Sequence, residues 1–382
     1  MDITTVVDFI QDTFKTKKMI ALHEPTFVGN ELRYVKDTID STFVSSVGEY
    51  VDKFEFLISD YTKSVSAVAT TNGTSALTTC LYLLNVKTHD LVITQPLSFV
   101  ATCNSIFHLG AKPIFCDISE TSLGLCPKAV EKFLKEYADV HKGVCIYRPT
   151  KQKIKAILPM HTFGHPVQLD ELKLICDKWC ISLIEDAAES LGSFYKGKHT
   201  GTTSALAALS FNGNKVITTG GGGMILCQNK LISKKAKHIT TTARVSKGYE
   251  FYHDEAGFNY RMPNLNAALG VAQFEMLANI ISKKRDLANT YEQFFNGSNF
   301  KFFKEPSYAK SNYWLNTLIC EDYSARQDFL EYTNSKNVMT RPVWELMHRL
   351  PMYSSSLRGD LSVAEKLGSL IVNIPSSPIN LS

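Results

Sequence analysis

Between residues 65 and 227 short apolar runs rich in β-branched residues alternate with stretches of helical periodicity. Val65–Thr70 reads as a strand and Ser75–Leu84 as a helix. Strand Asp90–Gln95, helix Phe99–Leu109 and strand Pro113–Ile118 come next, then helix Pro127–Tyr137 and a polar insertion around Ala138–Lys155. Strand Ala156–His161, helix Leu169–Trp179 and strand Ile181–Glu185 resume the pattern, and Ala205–Phe211 and Met224–Cys227 are two further apolar runs. Strands separated by helices predict βαβ units, hence an α/β protein whose mostly parallel sheet is covered by helices on both faces. After about Gly248 the alternation fades. Helical patterns over Asn264–Leu287 and a mixed tail predict a smaller α+β domain, so the chain divides at 1–248 and 249–382.

The 382 residues exceed what one small core needs, in keeping with two domains, and 44% hydrophobic with 20% charged is ordinary for a globular chain. The formal net charge of +4 gives no case for nucleic acid or a membrane surface as the main partner. No apolar run of about 18 residues suggests a membrane span, and the N-terminus lacks a signal peptide's apolar region. Nine scattered cysteines, with Cys176 and Cys180 the closest pair, predict buried free thiols, no metal site and a reducing cytoplasm.

In a parallel sheet, ligands bind beyond the carboxyl ends of the strands, and four features fall there. Asn72-Gly73-Thr74-Ser75 joins a strand to a helix, where free N–H groups and the helix dipole favour a phosphate. Glu185-Asp186-Ala187-Ala188-Glu189 ends another strand in acids that need a cation or N–H partner. Phe99 stands at a helix start, where an aromatic ring can lie on a planar ligand. Lys215 lies in SFNGNKVITTGGGG, Ser210–Gly223, which lacks the spacing of a nucleotide-hydrolysing P-loop. A lysine amine there can form a Schiff base with an aldehyde, and the glycines would let the backbone pass close to a bulky ligand. Singly, each feature has an ordinary structural explanation: a turn, a cap, a core ring, a surface cation. Together they supply a phosphate clamp, an acid for a ring N–H, a stacking ring and a Schiff-base amine, the set that pyridoxal 5'-phosphate requires.

With these blocks in place the chain resembles the sugar-nucleotide aminotransferases of the DegT/DnrJ/EryC/StrS group. The resemblance rests on HEPTF (His23–Phe27), VSSVGEYVDKFE (Val44–Glu55), NGTSAL (Asn72–Leu77) and LSFVATCNSI (Leu97–Ile106). MHTFGHP (Met160–Pro166), EDAAESLGS (Glu185–Ser193), SFNGNK (Ser210–Lys215) and GFNYRMPNLNAALG (Gly257–Gly270) follow in family order. The resemblance implies the type I fold of pyridoxal-phosphate-dependent transferases. It makes Lys215 the cofactor-bound lysine and proton carrier, Asp186 the partner of the pyridine nitrogen and Phe99 the stacking ring. Gly73, Thr74 and Ser210 would hold the phosphate, and Glu189 occupies a place often taken by Gln or His near the cofactor hydroxyl. Asn259 would reach the phosphate of a neighbouring subunit, which implies a homodimer with shared sites.

The run Gly220–Gly223 together with TRPVWELMHRLPMY (Thr340–Tyr353) looks most like the branch acting on 4-keto-6-deoxy-N-acetylhexosamine nucleotides in legionaminic acid and bacillosamine pathways. Arg341, Trp344 and His348 would then contact the nucleotide-sugar substrate, and L-glutamate would donate the amino group. The same chemistry on a GDP- or dTDP-linked keto sugar is the near alternative. A non-catalytic regulator binding pyridoxal phosphate is the distant one. The related sugar 3-dehydratases carry His at the lysine position, so Lys215 argues against that activity.

Overall fold

The computed structural model of the protein describes residues 1–247 and 249–381. Gly248, where the sequence places the domain boundary, lies outside the described residues. Seven strands of the large sheet come from the first part of the chain: β1 (Ser66–Thr70), β2 (Leu91–Thr94), β3 (Lys112–Phe115), β4 (Ile154–Ile157), β5 (Ser182–Asp186), β6 (Leu206–Ser210) and β7 (Gly223–Cys227). From the later part come β8 (Lys301–Phe302), β9 (Asn316–Ile319), β10 (Arg341–Pro342), β11 (Leu357–Arg358) and β12 (Ile371–Ile374), which build the rest of the two main sheets.

The large sheet has the order β1-β7-β6-β5-β4-β2-β3-β11. Only β7 runs against the others; it pairs antiparallel with β1 on one side and β6 on the other. The predicted mostly parallel sheet is therefore present. β2, β6 and β7 are almost wholly buried because helices cover both faces, which is why they read as unbroken apolar runs. A smaller antiparallel sheet, β8-β9-β12-β10, packs with helices Ile3–Phe14, Leu277–Phe294 and Tyr323–Ser335 around Ile10, Tyr291, Leu318 and Phe329.

Two predicted segments fold differently. The polar insertion is a β-hairpin, Ala138–His141 paired with Val144–Tyr147. Its two-residue turn, Lys142 (φ 50°) and Gly143 (φ 75°), has the positive φ values whose twist matches an antiparallel pair. The helical stretch over Asn264–Leu287 is two helices, Asn264–Glu275 and Leu277–Phe294, separated at Met276. Of the cysteine pair expected to be buried, Cys176 is, but Cys180 is exposed because it ends its helix in a left-handed conformation (φ 54°).

Three polar clamps fix the loops at the carboxyl edge of the sheet. The buried amide of Gln95 accepts the N–H of Leu125 at 2.8 Å and of Met160 at 3.1 Å, and donates to Leu97 O and Thr162 Oγ1 at 2.9 Å each. Asp117 accepts the N–H groups of Val363 and Ala364 at 2.9 and 2.8 Å, tying the C-terminal segment to the end of β3. Asn312, beyond β8, donates to the carbonyls of Glu189 and Leu191 at 2.9 Å each. Gly164 lies against this last clamp: it has φ +95°, and a Cβ there would sit 1.9 Å from Asn312 Oδ1. Gly164→Ala is expected to destabilise the protein by about 2–4 kcal/mol, through strain at positive φ and overpacking. Urea unfolding with an unchanged slope measures it, and stability equal to wild type would contradict the clamp.

Candidate active site

The carboxyl ends of β5 and β6 and the start of helix Gly73–Leu83 enclose a cavity of about 330 Å³. That volume lies near the lower end of small-molecule sites, roughly 300–1,000 Å³. Gly73, Thr74, Phe99, Asp186, Glu189, Ser210, Lys215 and Trp344 all line it. Residues from five separate blocks of the sequence are thus brought to one place.

The end of the cavity expected from the sequence to take a phosphate is a helix N-terminus. Asn72 caps the helix by accepting the Ser75 N–H at 2.8 Å. The N–H groups of Gly73 and Thr74 lie in the first turn, which has no intrahelical acceptors. A Cβ on Gly73 would lie 3.0 Å from Ser210 Cβ, so glycine lets the β6 serine close on the helix start. The glycine run after Lys215 serves the same junction. A Cβ on Gly223 would come within 2.4 Å of the Asn72 carbonyl, and one on Gly222 within 2.2 Å of Thr219 Oγ1. The close approach expected toward a ligand is made by these two glycines to the protein's own backbone and side chains.

Asp186 sits at the buried end of β5. Its Oδ2 accepts from Thr102 Oγ1 at 2.7 Å and its Oδ1 from the Ala188 N–H at 3.2 Å. Ser98 Oγ lies 2.7 Å from Thr102 Oγ1 and orients that hydroxyl. Burial raises the Asp186 pKa, partly offset by these bonds and by the Lys215 charge. The carboxylate has room for a further donor, and a cationic ring N–H would favour its charged form. Neighbouring Glu185 does different work. It accepts from His161 Nε2 at 3.1 Å and from the N–H groups of Gly201, Thr203 and Ser204 at 2.6–2.9 Å. Burial raises its pKa, yet those donors outweigh burial and hold it below the usual range. His161 Nδ1 accepts the Val167 N–H at 3.2 Å, so both ring nitrogens are engaged inside the protein.

Lys215 Nζ lies 3.3 Å from Glu189 Oε1. The other oxygen of Glu189 accepts the N–H of Phe163 at 2.9 Å. Phe163 is fully buried with φ 55°, an uncommon conformation for a bulky residue that persists only where surroundings impose it. Burial pushes the Glu189 pKa up to about 7 despite the nearby lysine. A second buried amine, Lys284, is also displaced, down to about 7 by burial. It donates to the carbonyls of Trp314 and Ser376 at 3.1 and 2.5 Å and lines no part of the cavity.

Phe99 is 47% exposed and stands at the rim, so it is not a core ring. Trp344 meets it edge-on at 5.9 Å and packs on Phe163 at 5.2 Å. Arg341 and His348 lie outside the cavity walls. Arg341 is exposed on β10. His348 is buried against Phe115, with Nε2 3.2 Å from Glu365. Asn259 is exposed beside Thr241 and does not reach this chain's own cavity. Among the lining residues given no role in the sequence are Thr102, Asn214 and Trp314. Thr102 was legible in principle, three positions after Phe99 on one helix face. Trp314 was not, since it arrives from a distant part of the chain through tertiary packing.

The sequence profile of the DegT/DnrJ/EryC1/StrS aminotransferase family matches residues 25–380. The chain belongs to this family. GDP-perosamine synthase of Escherichia coli O157:H7 is 33% identical over 361 residues, 94% of each chain. GDP-perosamine synthase of Vibrio cholerae is 33% identical over 363 residues, again 94% of each. Among solved structures, Helicobacter pylori PseC, an aminotransferase involved in the biosynthesis of pseudoaminic acid, superimposes with a TM-score of 0.84 at 23% identity, covering 94% of both chains. That likeness speaks for the fold. The protein is a pyridoxal-phosphate-dependent sugar aminotransferase. Its cavity fits the cofactor on its own evidence: an anion-binding helix start, a buried carboxylate with room for a donor, a rim aromatic and one accessible amine.

The aminotransferase's buried Glu189 has a consequence for stability. Its carboxyl keeps a proton up to about pH 7 when folded, against 4.5 ordinarily, so the folded chain binds the extra proton between these values. Stability therefore falls as pH rises through that window. Above it, the cofactor-free Glu189→Gln variant should exceed wild type by on the order of 3 kcal/mol. Parallel urea curves for the two proteins across the window would contradict this.

Proposed function

We propose that the enzyme transfers the amino group of L-glutamate to the C4 ketone of a nucleotide-linked 4-keto-6-deoxy sugar. The preferred acceptor is UDP-2-acetamido-4-keto-2,6-dideoxyhexose, and the products are the UDP-4-amino sugar and 2-oxoglutarate. The observation that carries the reading is Lys215 and Asp186 lining one cavity whose end is the Gly73 helix start. Bound there, pyridoxal phosphate supplies a carbonyl for the amino group and a ring that accepts electrons. Gly73, Thr74 and Ser210 bind the phosphate, and Phe99 orients the ring. Asp186 keeps the ring nitrogen protonated, with Thr102 fixing the carboxylate. Lys215 Nζ would move the proton between the cofactor carbon and the substrate carbon, a positioned base acting in both halves of the reaction. Glu189, carrying a proton near neutral pH, can donate to a ring oxygen where a charged acid would repel it.

Trp344 contacts the sugar from the small domain. Its place in the cavity and the Thr340–Tyr353 block support a 2-acetamido sugar, as used for legionaminic acid or bacillosamine-type glycans. The active form is a cytoplasmic homodimer in which Asn259 completes the partner's phosphate site. Exposed Phe43, Val47 and Phe251, near the Asn259 segment or in the hairpin before it, support such an interface. A GDP-linked acceptor is the second reading, favoured by the 33% identity to two GDP-perosamine synthases. Product formation from UDP-, GDP- and dTDP-linked keto sugars with glutamate tests both. The UDP-linked N-acetylated sugar should give a kcat/KM at least ~10-fold above the others, an advantage of about 1.4 kcal/mol in transition-state binding. A preference for the GDP sugar would overturn the first reading in favour of the second.

A further inference from the structure

Lys215 has a resting place that the family motifs do not describe. Its Nζ lies 3.8 Å from the centroid of the Trp314 ring and 3.3 Å from Glu189 Oε1. Trp314 is itself held from three directions. The indole N–H donates to the carbonyl of Asn214, the residue before Lys215, at 2.7 Å. Its backbone N–H donates to Asn312 Oδ1 at 2.8 Å. Asn312 grips the carbonyl of Glu189 at 2.9 Å, so one small-domain loop fixes both the indole and the chain bearing the carboxyl. Tyr313, just before the indole, is buried with φ 49°, a conformation its surroundings must impose. The indole is 3% exposed, and water has little access to the face the amine touches.

We propose that Trp314, together with Glu189, forms a seat for the Lys215 ammonium in the part of the catalytic cycle when that amine is free. Trp314 is a positioning residue that keeps Nζ charged and close to the reacting carbon. The proposal rests on the reading of Lys215 as the reactive amine. An ammonium expelled from a covalent bond in a dry cavity needs a stabilising partner, or it loses its proton. The Glu189 carboxyl oxygen alone, protonated or not, would hold it in one directed bond. The indole face attracts the cation through its quadrupole without such a bond, so Nζ can swing toward the cofactor and return. The other charged or titratable groups nearby are Asp186 at the end of β5, His23 from the N-terminal segment and Lys284, whose Nζ donates to the Trp314 carbonyl at 3.1 Å. His23 is held neutral by burial and by the charges of Lys284 and Lys215.

The test is the ionisation of Lys215 itself, in full-length enzyme loaded with pyridoxamine phosphate, where the lysine is free. Competitive acetylation over a pH series, read on the Lys215 peptide by mass spectrometry, gives its midpoint. Trp314→Leu should lower that midpoint by about one unit, and Trp314→Phe by less. Fluorinated tryptophans placed at position 314 keep the ring's shape while draining its negative face, and should lower the midpoint stepwise with fluorine number. They also cover the case in which Trp314→Leu fails to fold. A midpoint that ignores fluorination overturns the proposal, whether or not Trp314→Leu shifts it. No sugar nucleotide enters this measurement, so its failure and the failure of the substrate assignment are separable.

Discussion

An amine and two carboxyl groups cannot be taken out of water unless each finds a partner, and that constraint organises the whole carboxyl edge of this sheet. Lys215, Asp186 and Glu189 enter one small cavity, with the side chains of Lys215 and Glu189 only 12% and 1% exposed. Desolvation opposes charge on both carboxyl groups. The offsets are specific: Thr102 and the Ala188 N–H for Asp186, the Phe163 N–H for Glu189, the indole of Trp314 for Lys215. Strained backbone at Phe163 and Tyr313 is part of the same arrangement. Cofactor chemistry needs groups whose proton affinity is displaced toward neutrality, and burial is the means of displacing it.

The two sheets divide this work. The large sheet delivers the Gly73 helix start after β1, Asp186 at the end of β5 and Lys215 after β6, so their relative positions follow from the order of strands in the sheet. The C-terminal part of the chain closes the cavity with Trp314 and Trp344 and is tied to the loop after β5 through Asn312. β11 adds a last strand to the large sheet from the C-terminal part of the chain, parallel to β3. The C-terminal segment is therefore not a free appendage, and the aromatic walls it positions have a rigid base.

Much of this was legible in the residues because it is local. Alternating apolar runs and helical stretches reveal parallel strands, since burial on both faces leaves no polar alternation to confuse them. Asn72 before Gly73 reveals a capped helix start because the cap lies within four residues of what it caps. The remainder depends on distant contacts. Nothing near Trp314 marks it as a partner of Lys215, and nothing around Lys284 marks it as sealed by two carbonyls instead of open to a ligand. Arg341 and His348 share a block with Trp344, yet only Trp344 turns into the cavity; three neighbours on irregular chain have no periodicity from which to read direction. The Ala138–Lys155 segment hid a hairpin because its strands are only four residues long and the first is mostly exposed.

The central claim is that one buried amine, Lys215, is the group to which the cofactor aldehyde is joined. Borohydride reduction of the holoenzyme, followed by peptide mapping, tests it directly. The account predicts a reduced pyridoxyl label on the peptide carrying Lys215 and on no other. A label on Lys284, the fully buried lysine that burial holds near pKa 7, or no label at all, would contradict it.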